Sequence, residues 1–274
     1  MKSGKLIALL AGAVLMSCRN LVLEDRGACP AFVFFHMDEV CPVDPVEPVS
    51  VTVMDASTFE ILSSDSPSLE EMCADGYHMA IEKRPEITAC GVAGIDKSTL
   101  TGTTLKLPYG SQSDPVYRFS KTSILDGEEF HVPIKMTKEF SRVLVRFRSD
   151  DGEFPYTVIV SGNTSGLDIS TGLPLEGAFR FSPVQIRPGE YLFSVPRQAD
   201  YSLSLELWSA PGLKAESPEH VDDLLLWSAL QKIKGFSWAM ESLPDITVDI
   251  DYVKASLIAL VSDWDVSSST TYIL

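Results

Sequence analysis

Apolar and polar positions alternate with a period of two along most of this chain. Val49, Val51 and Val53 interleave with Ser50 and Thr52. Phe130, Val132, Ile134 and Met136 repeat the pattern, as do Val143, Val145 and Phe147. Tyr201, Leu203, Leu205 and Leu207 follow, and then Ile246, Val248, Ile250 and Tyr252. Alternation of this kind puts one side of a strand on a core and the other in water. Further strands are predicted at 31–36, 78–82, 87–92, 116–120, 156–161, 178–181 and 191–195. Residues 256–261 are apolar on both sides and predict a central strand covered on both faces. Turn residues separate the runs: Ala74-Asp75-Gly76, Asp126-Gly127, Asp150-Asp151-Gly152 and Arg187-Pro188-Gly189.

Many short strands at this spacing predict an all-β protein made of β-sandwiches, with at most one or two short helices. One helix is expected after Ser217, which can cap it, with Pro218 in its first turn. Val221, Leu224, Leu225 and Ser228 would line one face, Lys232 and Lys234 would suit the terminal dipole, and Gly235 would stop it.

The first residues break the strand pattern. Lys2 and Lys5 give a cationic start, eleven apolar residues run from Leu6 to Met16, and Ser17-Cys18 follow. This is the form of an export signal, too short to span a ~30 Å hydrocarbon layer comfortably. Residues 1–17 are therefore read as a signal peptide, 18–28 as a polar tether, 29–132 as an N-terminal β-sandwich domain and 133–274 as a C-terminal one. Loss of Lys2 and Lys5 takes the formal charge from −16 to −18. So acidic a surface repels nucleic acid. Between Gly27 and Glu82 there are eleven Asp or Glu and no Lys or Arg.

Five cysteines become four if Cys18 is modified: Cys29, Cys41, Cys73 and Cys90. Outside the cytoplasm they can pair in three ways, and the sequence does not choose among these or between bridges and free buried thiols. No zinc spacing is present. His36, His78, His131 and His220 are scattered, and only His220 has near carboxylates, in Glu219, Asp222 and Asp223. Asp249 and Asp251 share one side of a strand, read as a solvated face. The chain carries no Gly-x-Ser-x-Gly, His-Glu-x-x-His, phosphate-loop or dinucleotide pattern. Neither catalysis nor a cofactor or metal is predicted. Asn163-Thr164-Ser165 matches a glycosylation sequon. Trp208, Trp227, Trp238 and Trp264 are either core residues or a platform for sugar.

Leu15-Met16-Ser17-Cys18 resembles a bacterial lipobox, and the resemblance implies acylation of Cys18, including palmitate, and retention at the outer membrane. The order of later segments is similar to that of the Bacteroidales fimbrial anchor subunits of type V pili, the FimB/Mfa2 type. The segments are Cys29-Pro30 before Phe32-Val33-Phe34-Phe35, Arg84-Pro85-Glu86 leading into Ile87–Gly94, Asp114-Pro115-Val116-Tyr117, Pro196-Arg197-Gln198, and the closing run Asp245–Tyr252 with Trp264. Where that family has an aromatic-Ala-Gly ending, this chain reads Cys90-Gly91-Val92-Ala93-Gly94. The resemblance implies two tandem transthyretin-like Greek-key β-sandwiches, a surface-exposed fimbrial location, and joining of stalk or accessory subunits by β-strand addition. With no Lys or Arg from 27 to 82, an arginine-directed cut could not remove the strand at 31–36, which fits a permanently anchored subunit. A glycan-binding surface lipoprotein is the alternative.

Overall fold

The computed structural model describes residues 29–37, 48–73, 77–148, 154–200, 202–209, 219–224, 226, 230–231 and 235–251, and the backbone alone of 256–262 and 267–273. The protein is all-β. Its alternating segments form four sheets stacked around two principal cores.

The first stack opens with β1 (Ala31–Met37), whose Ala31, Val33 and Phe35 are buried while Phe32, Phe34 and His36 face outward. It lies between β4 (His78–Ile81), antiparallel, and β9 (Glu129–Ile134), parallel. The facing sheet runs β10 (Thr137–Lys138), β8 (Tyr117–Ile124), β5 (Glu86–Ala93), β2 (Ser50–Asp55) and β3 (Ile61–Asp65). Val33, Phe35, Val51, Val53, Ile87, Phe119, Val132 and Ile134 fill the space between. A full burial of such a side chain is worth about 1.5–3 kcal/mol. The short helix α1 (Leu69–Cys73) closes one side through Met72. It starts with a capping box: Glu71 N–H donates to Ser68 Oγ at 3.1 Å, and Ser68 N–H donates back to Glu71 Oε2 at 2.8 Å.

In the second stack, one sheet runs β17 (His220–Leu224), β16 (Ser204–Ser209), β12 (Tyr156–Asp168), β7 (Thr104–Lys106) and β6 (Thr99–Thr101), and β13 (Pro174–Phe181) also pairs with β12. The other runs β14 (Gln185–Arg187), β15 (Glu190–Pro196), β11 (Phe140–Arg148), β18 (Asp245–Asp251), β19 (Ser256–Ser262) and β20 (Ser267–Ile273). Val143, Val158, Phe193, Leu205, Leu207, Ile246 and Val248 are among its core residues. The predicted turn at Arg187-Pro188-Gly189 joins β14 to β15, with Gly189 at φ 71°, where a glycine is favoured.

The β6–β7 hairpin comes from the middle of the first stack's sequence but pairs with β12 of the second. Leu105 carries this connection inward. It packs with Met54, Cys90 and Val92 on the outer face of β2 and β5, and with Val116 and Ile169. This explains why β5 is buried on both faces: Ile87 and Ala89 meet one core, Cys90 and Val92 the other.

The helix expected from Ser217 to Gly235 is corrected in its first part. His220–Leu224 is a strand, with Leu224 opposite Leu205 and Asp222 opposite Leu207. Sheet pairing outweighs the helical capping pattern, because only Leu224 of that segment is buried and Val221 is exposed. Helical backbone does occur further along the expected span, at the buried Leu226 and Leu230. The apolar run at 256–261 forms β19, between β18 and β20 as an interior strand should be; its side chains lie outside the described residues.

Candidate functional site

The outward face of the β4–β1–β9 sheet gathers three of the four histidines. Phe34 is the centre of the row. In the strand register it stands opposite His78 on one side and His131 on the other. Its ring lies 5.0 Å from that of His78 and 5.1 Å from that of His131, nearly parallel to the latter at 19°. Phe32 meets His78 edge-on at 5.5 Å. His36 closes the row, with Nε2 2.6 Å from Nδ1 of His131. Ring pairs of this type contribute about 0.5–1.5 kcal/mol beyond their burial. The histidines are 42 and 53 positions apart in sequence order, 36 to 78 and 78 to 131, so only strand pairing brings them together.

Each sheet also presents edges. β4 and β9 bound the first, β10 and β3 the second, β17 and β6 the third, β14 and β20 the fourth. An edge strand offers unpaired N–H and C=O groups that a further strand can take up. Edges here differ in how open they are. Pro133 removes a donor from β9, a position where proline is tolerated because the strand is peripheral. β20 pairs along all seven of its residues with β19 and has no strand on its other side among the described residues.

Between the stacks lies a buried charge cluster. Glu139 accepts from Arg118 Nε at 3.1 Å and from Arg197 Nε at 2.5 Å. Arg197 Nη1 donates to the carbonyls of Trp238 and Met240, and Nη2 to that of Glu241 at 3.3 Å. The fork thus pins the loop 238–241 to the end of β15. Arg118 Nη1 donates to Ile169 O at 3.2 Å. A cavity of about 590 Å³ opens beside the cluster, lined in part by Arg118, Gly172, Gln198 and Asp200. The charges facing it already have protein partners, so the arrangement is structural.

Cys18 and Cys41 lie outside the described residues, as does the side chain of Cys73. Cys29 is an exposed free thiol and Cys90 a buried one. Burial pushes the Cys90 thiol up to about 12, with the nearby Asp168 charge acting in the same direction. The Asp249–Asp251 face is less solvated than expected. Asp249 is only 8% exposed, and the guanidinium groups of Arg146 and Arg148, on the parallel neighbour β11, lie 3.7 and 3.2 Å from its carboxylate. His220 bonds Asp223 Oδ1 at 2.9 Å on an exposed strand. Asn163 Nδ2 donates to Asp200 Oδ2 at 3.0 Å. Residues 150–152 lie outside the described residues.

The tryptophans are not a platform among the described residues. Trp238 is buried against Phe236, while Trp208 is half-buried, donates to Glu206 at 3.0 Å and meets His220 edge-on. Trp227 and Trp264 lie outside the described residues. No helix among the described residues is long and apolar enough to cross a membrane.

No protein-family model matches the chain, and no curated protein matches its sequence. Solved structures do share the fold. A Bacteroides thetaiotaomicron protein named for proposed polysaccharide binding superimposes with a TM-score of 0.62, covering 90% of this chain and 98% of its own at 16% identity. A second protein of that organism, named as a candidate adhesin, gives 0.58 over 89% and 98% at 14% identity. The fimbrial anchor protein Mfa2 of Porphyromonas gingivalis gives 0.58 over 81% and 91% at 13% identity.

Proposed function

We propose that this chain is a fimbrial subunit of the cell surface, an anchor or accessory component held to the outer membrane by acyl chains on Cys18. The observation that carries the reading is the likeness of nearly the whole fold to a fimbrial anchor protein, 81% of this chain against 91% of the other. The sequence Leu15-Met16-Ser17-Cys18 supports the anchor. Two or more acyl chains hold a protein firmly where one gives marginal binding, at about 0.8 kcal/mol per buried methylene. Stalk or accessory subunits join by adding a strand to one of the sheet edges, main-chain hydrogen bonds giving affinity and alternate side chains giving register.

The test compares the wild type with Cys18→Ala in the producing cells. Radiolabelled palmitate should enter the wild-type protein and the membrane fraction should retain it together with co-purifying fimbrial subunits. The variant should be unlabelled and released, and fimbriae should be shed with it. An unlabelled wild type, or a variant still held with its fimbriae, would overturn the reading. Glycan binding is the second reading, supported by the likeness to the Bacteroides thetaiotaomicron protein named for proposed polysaccharide binding. Retention on a glycan array, lost when Phe34 is replaced by Ala, would favour it.

A further inference from the structure

The ring nitrogens of His36 and His131 point at each other across two strands. Their separation is 2.6 Å, the ring centroids are 4.9 Å apart and the planes differ by 24°. Rings lying face to face would hold those nitrogens farther apart. The combination fits two nearly coplanar imidazoles meeting nose to nose, one proton between them. An imidazole lone pair lies in the ring plane, so the two acceptor directions converge on one small space.

A metal ion can take the place of that proton. With metal–nitrogen distances of about 2.0–2.1 Å and a tetrahedral angle, the nitrogens need a separation of roughly 3.3 Å. The nitrogens must therefore part by less than about 1 Å, and each ring must turn by roughly 35° so that both in-plane lone pairs meet at one ion. The scaffold holds them for it. Parallel pairing sets Phe34 opposite His131 and His36 opposite Pro133, so the two histidines sit diagonally on one face. The Phe34 ring lies alongside that of His131 at 5.1 Å.

We propose that His36 and His131 form an open two-imidazole site for a borderline divalent cation of the zinc, nickel and copper class. Neutral imidazole nitrogen selects those ions, whereas magnesium and calcium ask for oxygen. His78 cannot complete the set, because it lies on the far side of Phe34. Among the described residues no group of three His, Cys, Asp or Glu converges for a metal. The remaining coordination positions are open to water or to a donor from another molecule. A formal charge of −16 raises the local concentration of cations.

Calorimetric titration of the EDTA-stripped chain with Zn²⁺ or Ni²⁺ tests this, in a Cys29→Ser background that removes a competing exposed thiol. One ion per chain should bind. His36→Ala and His131→Ala should each weaken binding at least tenfold, and His78→Ala should leave it unchanged. In the wild type, Zn²⁺ should shift the ¹⁵N resonances of His36 Nε2 and His131 Nδ1, and bound Cu²⁺ should show two imidazole nitrogens in its electron paramagnetic resonance spectrum. No binding at about millimolar cation, binding indifferent to both substitutions, or a single-nitrogen copper spectrum would overturn the site.

Discussion

Arg197 and Glu139 form an ion pair whose side chains are 9% and 2% exposed, with Nε 2.5 Å from Oε2. The same carboxylate serves Arg118, so one acidic group holds two guanidinium groups from different strands and loops. A buried pair of this kind is poor evidence for net stabilisation, yet removing one member strands the other in a dry site.

Glu139→Gln or Arg197→Met should therefore destabilise the protein by about 3–5 kcal/mol, read from the midpoint and slope of urea unfolding. The double variant should cost less than the sum of the two, because the groups share one network. Additive losses would mean that the pair is not coupled.

The β6–β7 hairpin is docked through a glycine. A Cβ on Gly166 would come within 2.1 Å of Leu105 O, a main-chain atom that cannot rotate away. Gly166→Ala should lift the hairpin from β12 and cost about 1–3 kcal/mol or more. Amide exchange should quicken at Leu107 and Ile169, whose N–H groups donate to Ser165 O and Thr103 O. Unchanged exchange at both would show that the strand shifts without releasing its partner.

Cys29 and Cys90 should separate cleanly in thiol labelling mapped by mass spectrometry. Exposed Cys29 should react at once and Cys90 only on unfolding. The sign of the linked pH effect follows from the raised thiol. Unfolded protein loses this proton near 9 and folded protein only near 12, so the native state binds more protons between them. The contribution of Cys90 is complete below 9 and declines as the pH rises through that window. The stability difference between wild type and Cys90→Ala should change in the same window; a flat difference would count against burial of the thiol.

Most strands were legible because alternation was strong where one face is buried. Leu203, Leu205 and Leu207, all fully buried, are a case in point. The hairpin Thr99–Lys106 was not legible. Its strands have three residues each, too few for a period to show, and its partner β12 is more than fifty positions away. Helix α1 was missed although Ser68-Leu69-Glu70-Glu71 spells its capping box. For His220–Leu224 the local signal for a helix was genuine but tertiary pairing prevailed. The histidine row had no local signal at all, since alternation says only that Phe34 and His36 share a face, not which strands flank them.

The parallel match of β1 with β9 has a mechanical consequence. Residues Phe32–Met37 run beside Glu129–Ile134 in the same direction. The polypeptide enters this pair at Ala31 and leaves it past Ile134 for the second stack. Tension applied to those two ends acts along the strands in opposite senses, so every rung of the ladder bears load together. Peeling, in which rungs fail one after another, is the path this geometry denies, so under that tension the sheet that carries the histidine row is loaded in shear.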